Sequence, residues 1–173
     1  MPRSRQAPPN PFTAALRLLA RRAYSIAEMR RALTRRSDSS EAVEEALARL
    51  RQVGYLDDQK FAKQQANALR RNRAFGPQRI VRELKAKGVN YRFIDAAVEQ
   101  AFEEVGEHEL LEQVLSKKVR NLRLPLSRSR FYSLCRSLLR QGFRSDDIMK
   151  AVRARPELRP VAEDLDTHSL ESE

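Results

Sequence analysis

The chain has 173 residues, 41% of them apolar, and a formal net charge of +11. Aromatic residues make up only 6% and Trp is absent, so the core must come from Leu, Val, Ile and Ala, which suits packed helices. Five glycines are too few for a turn-rich β protein, and one cysteine forms no internal disulfide.

In chain order, MPRSRQAPPN (1–10) holds two arginines and three prolines and reads as a disordered basic arm. The apolar run after it, FTAALRLLA, is nine residues long and contains Arg17. It is too short and too interrupted for a signal peptide or a membrane span, so a cytoplasmic chain is expected. Asn10-Pro11 opens the first helix, with Pro where a missing N–H does no harm. Ser25 with Glu28, and Asp38 with Glu41, form capping boxes for the second and third. Gly54 ends the third helix, and Asp57 or Asp58 in GYLDDQKFA caps the fourth. Gly76-Pro77 opens the fifth and Gly88 closes it in the left-handed conformation; Ser127 and Gly142 do the same for the eighth, and Ser145 starts the last. Helices are expected near 11–22, 26–36, 40–52, 58–72, 77–87, 91–104, 107–121, 128–141 and 145–153.

These signals recur with a period. A shift of 51 brings Met29 onto Ile80, Leu33 onto Leu84, Val43 onto Ile94 and Leu47 onto Val98. A shift of 54 brings Ile80 onto Leu134, Leu84 onto Leu138, Gly88 onto Gly142 and Ile94 onto Ile148. Apolar positions and helix stops return together, as in repeat proteins. The expected organisation is all-α: three tandem three-helix modules at 11–56, 57–105 and 106–155, packed into an elongated curved rod and followed by an acidic disordered tail at 156–173. In the first module Ser37 stands where the others have glycine, so that helix end must close differently.

Charge is blocked. Residues 60–92 carry ten bases against one acid, 93–116 seven acids and no base, and 117–155 twelve bases against two acids. Two basic blocks in one small chain repel themselves unless they meet a polyanion. On a helical wheel Lys60, Lys63, Arg70 and Arg71 share a face opposite Phe61, Ala62 and Leu69; Arg79, Arg82 and Lys85 lie opposite Ile80, Val81 and Leu84. The candidate phosphate-contacting residues are these seven with Arg73, and Lys117, Lys118, Arg120 and Arg123 from the second block. Solvated helix faces are the bland alternative. Phe75 could touch nucleic acid or pack against its module.

Catalysis has little support. His108 and His168 are far apart and lack ligand-spaced partners, so no metal is expected. Cys135 lies on an apolar stripe with Phe131, Leu134 and Leu138 and reads as a buried structural thiol. The glycines are isolated, so neither a P-loop nor a dinucleotide loop can form. No catalytic residue and no cofactor is expected.

GYLDDQKFA (54–62), the helix after it with Arg70-Arg71, FGPQRIVRELKAKGV (75–89) and the Ile-x-x-Ala-Val helix at 94–98 resemble the RecX family over roughly residues 13–154. The resemblance implies tandem three-helix modules and a regulator of the recombinase RecA. Such a protein binds the RecA–DNA filament, restrains its ATPase, strand-exchange and coprotease activities, and serves recombination, repair and the SOS response. It implies weak, sequence-independent contact with single- and double-stranded DNA, with no membrane partner; a monomer is expected. The alternative is a helix-turn-helix transcription factor, whose basic helix would read a major groove. Against it, the bases spread over two long blocks and no dimerisation heptad is evident.

Overall fold

The structure is a computed structural model that describes residues 10–37 and 39–158. The described residues form nine helices and no strand: α1 Pro11–Leu19, α2 Ile26–Thr34, α3 Ser40–Gln52, α4 Asp58–Arg73, α5 Pro77–Ala86, α6 Tyr91–Ala101, α7 Glu107–Arg120, α8 Arg128–Gln141 and α9 Ser145–Arg153. The chain divides into two compact units. The first runs through Gln65 and takes in Leu84–Ala97; the second comprises Ala66–Glu83 and the chain from Val98 onward. Most of the expected arm and acidic tail, and Asp38, lie outside the described residues.

In the first unit Met29, Leu33, Val43, Leu47 and Leu50 bury their side chains between α1, α2 and α3, with Leu56 closing the cluster. The caps are those the sequence announces, with one change. Asn10 accepts from the Phe12 N–H, and Ser25 and Glu28 form a complete capping box. The α3 cap is Ser39, whose hydroxyl accepts from the Ala42 N–H, in place of the expected Asp38–Glu41 box. Without glycine at Ser37, α2 ends in a right-handed turn, and the Arg36 guanidinium donates to the Ala32 carbonyl at 2.8 Å.

Within each unit the end of one helix meets the start of another. Ser25, fully buried, donates its hydroxyl proton to the Lys87 carbonyl at 2.6 Å while accepting from the Glu28 N–H. Next to it Gly88, at φ +77°, lies so close to Ala27 that an added Cβ would sit 2.5 Å from the Ala27 Cβ. In the second unit the same joint recurs. The Gly76 N–H donates to the Gln141 carbonyl at 2.8 Å, and the Gln78 N–H to the Gly142 carbonyl at 3.2 Å. Ser25 and Gly76 are equivalent under the shift of 51, and Lys87 and Gln141 under the shift of 54. In each joint a donor at a helix start meets an open carbonyl at a helix end: the Ser25 hydroxyl in the first, backbone N–H groups in the second.

The core of the second unit gathers Leu111, Leu115, Phe131, Leu138, Phe143 and Ile148. It also holds Leu158, which the sequence assigns to the tail. Arg155 anchors that turn, donating to Glu112 Oε2 at 2.8 Å and Ser116 Oγ at 2.6 Å. Cys135 is fully buried here, and burial pushes its thiol pKa up to about 12, an inert structural thiol.

Candidate nucleic-acid interface

The paired carboxylates of GYLDDQKFA have separate duties in the first unit. Asp57 Oδ1 accepts from the Gln59 and Lys60 N–H groups at 2.9 and 3.0 Å, which caps α4. Asp58 Oδ1 accepts from the Ile26 N–H at 2.9 Å, so it closes the start of α2 across the unit. Burial raises the Asp58 pKa, and the bond from Ile26 only partly opposes it. No group of three or more His, Cys, Asp or Glu able to hold a metal occurs among the described residues.

Glu28 gathers its own network beside this joint. Its carboxylate accepts from Arg22, from the Ser25 N–H at 3.2 Å and from Lys87 at 3.3 Å. Burial alone would raise its pKa and is the largest single influence. The bonds from Arg22, Ser25 and Lys87 together outweigh it and hold the carboxyl below its ordinary value.

Of the candidate cations in the first unit, Lys60 has a side chain 74% exposed and lies 3.8 Å from Asp57. Lys85 is exposed and Lys63 half-buried. Arg73, Arg82, Lys117, Arg120 and Arg123 of the second unit are exposed, and Lys118 is half-buried. Arg71, 64% exposed, stands 3.6 Å from Glu104. Arg79 is tied down: it binds Glu83 at 2.8 Å, lies 5.4 Å over the Phe75 ring, and its backbone abuts Gly142.

Arg70 departs from the expectation of an outward-facing stripe. It is only 6% exposed, and it lines a cavity with Leu110, Val114, Lys117 and Lys118 of α7. The structure thus brings Arg70, Arg71, Lys117 and Lys118 around one cavity of the second unit, while Arg73, Arg79, Arg82, Arg120 and Arg123 do not line it.

Residues 12–50 match the family model "RecX, first three-helix domain", and residues 57–98 match "RecX, second three-helix domain". The regulatory protein RecX of Trichlorobacter lovleyi is 31% identical over 140 residues, which cover 80% of this chain and 91% of that protein. The chain belongs to the RecX family. The regulatory protein RecX of Haemophilus influenzae strain PittEE is 31% identical over 137 residues, 79% of this chain and 88% of that one. The crystal structure of RecX from Lactobacillus salivarius has the same fold: TM-score 0.72 at 19% identity, covering 83% of this chain and 93% of that one. A second crystal structure, of a regulatory protein RecX, gives a TM-score of 0.68 at 26% identity over 79% of this chain and 67% of its own. Among the described residues of this RecX-family chain, no helix is long and apolar enough to cross a membrane. Sequence reasoning missed the bond from Ile26 to Asp58, the bond from Ser25 to Lys87, and the burial of Arg70.

Proposed function

We propose that this RecX-family chain regulates the recombinase RecA by binding the RecA–DNA filament and restraining its ATPase, strand-exchange and coprotease activities. It acts as a cytoplasmic monomer built from three-helix sequence modules at 11–56, 57–105 and 106–155. Exposed cations meet phosphates or acidic recombinase surface, and the acidic block 93–116 meets basic subunit surface. The observation that carries the reading is the exposure of Arg73, Arg82, Lys85, Lys117, Arg120 and Arg123. Arginine predominates in that set, and its planar fork matches phosphate oxygens in pairs. The ion pairs of Lys60 and Arg71 are exposed, so breaking them costs little, about 0–1 kcal/mol. Lys63, Arg70, Arg79 and Lys118 contribute from less exposed positions. The test is RecA's ATPase on single-stranded DNA, titrated with the protein from substoichiometric to filament-saturating amounts. A slowed rate is expected; an unchanged rate across filament-saturating amounts defeats the reading.

A further inference from the structure

Arg70 presents a charge that its surroundings do not answer. A guanidinium keeps its proton in proteins, so burial cannot neutralise it, and an unpaired buried charge is costly. Yet Arg70 is 6% exposed and its Nε has no hydrogen-bond partner. The cavity it lines has a volume of about 370 Å³, and Arg71, Lys117, Lys118 and Gln141 line it too. Neither Asp nor Glu is among the lining residues, and Ala74, Val105, Leu110 and Val114 supply apolar wall. Gln141 Oε1 is likewise buried without a partner.

We propose that this cavity is a binding site for a phosphate monoester, carried by a nucleotide or by the 5′ end of a nucleic-acid strand. A carboxylate offers one charge to four cations; a phosphate monoester offers close to two, with three strong acceptor oxygens. Its oxygens take the Nε–H of Arg70 at the closed side, and Arg71 and Lys117 meet it from the exposed side. Gln141 carries donors and an acceptor on one rotatable amide, so turning the amide presents its NH₂ to the same oxyanion. The exposed contact of Arg71 with Glu104, 3.6 Å long, yields to the stronger anion. The low-dielectric wall strengthens each of these contacts relative to those on an open helix face. The proposal stands on the cavity alone and does not depend on the RecA reading.

The test uses the full chain in low-salt chloride buffer, titrated calorimetrically with inorganic phosphate and then with a nucleoside triphosphate. Saturable binding, one anion per chain, is expected. Arg70→Gln removes the buried charge. Gln141→Glu keeps the side chain's size while facing the cavity with a carboxylate, so it decides the matter if the first variant fails to fold. Each should weaken binding by about tenfold or more, the worth of a hydrogen bond to a charged group. Arg35→Ala, a cation that does not line the cavity, should leave binding unchanged. Oligonucleotides with and without a 5′-phosphate, used as competitors, identify the source. Displacement only by the phosphorylated strand marks a chain end, displacement only by the triphosphate marks a nucleotide, and equal displacement by the strand without a 5′-phosphate overturns the choice of a monoester. Unsaturable binding, or equal binding by Gln141→Glu and the unaltered chain, overturns the proposal.

Discussion

Gly142→Ala should destabilise the chain far more than Gly54→Ala, although both glycines hold left-handed conformations, at φ +96° and +76°. An L-residue in that region costs about 1–2 kcal/mol wherever it occurs. At Gly54 that is the whole cost, because a new Cβ meets nothing within 4 Å. At Gly142 the Cβ would overlap the backbone N of Arg79 and lie 2.5 Å from its Cβ and 2.9 Å from its Cα. Backbone cannot swing aside as a side-chain tip can, so the start of α5 must move. Overpacking of this kind costs about 1–3 kcal/mol. The displacement also strains the bonds from Gly76 to Gln141 and from Gln78 to Gly142, each worth about 1 kcal/mol. The expected loss is therefore about 4 kcal/mol for Gly142→Ala against about 1 for Gly54→Ala. Urea unfolding followed by circular dichroism measures both, with the slope against denaturant checked for constancy. Equal losses in the two variants would show that the α5–α8 joint does not stabilise the second unit, and the account of helix ends closing helix starts would fail.

The two aspartates of GYLDDQKFA separate by substitution. Asp57→Ala removes two cap bonds and should cost about 1 kcal/mol. Asp58→Asn keeps an acceptor for the Ile26 N–H without the buried charge, so thermal unfolding at neutral pH should find it at least as stable as Asp58→Ala and close to the unaltered chain. Glu28 has a depressed pKa in the folded chain, so its stabilisation is present above the ordinary carboxylate range and is lost as pH falls through it. Glu28→Gln should therefore flatten the acid limb of the stability curve, and an unchanged limb would contradict the network drawn around it. If about five exposed cations meet duplex phosphates, the log–log salt slope should be near −4.5, and Arg71→Ala with Arg73→Ala should flatten it by about two units on every sequence. An unaltered slope would remove the end of α4 from the interface.

Helix positions were legible because their signals are local. Asn10-Pro11, the Ser25–Glu28 box, Gly88 and Gly142 each act within a few residues of the turn they control. The joints were not read from the sequence, since Ser25 and Lys87 are 62 positions apart and Gly76 pairs with Gln141. Their trace was nonetheless in the repeat: the shifts that align the apolar positions also superpose the two ends of each joint. A recurrence of polar and glycine positions alongside apolar ones carries docking information, because a helix end has open backbone groups to satisfy.

Arg70 was misplaced for a more instructive reason. It follows Ala66 by four residues and so sits one turn along the same side of α4, and Ala66 is fully buried. Grouping Arg70 with Lys63 and Arg71 followed the charges and passed over that neighbour. A residue on such a border is covered or exposed according to what packs there, and here α7 lies beside it, a helix more than thirty positions further on. Had that contact served stability alone, α7 would be expected to present an acid or apolar residues only, since a buried guanidinium needs a partner. It presents Lys117 and Lys118 instead, beside an unpartnered Nε and an unpartnered amide oxygen. An anion from outside would give the Arg70 Nε–H and, once its amide has turned, the Gln141 NH₂ the acceptor they lack.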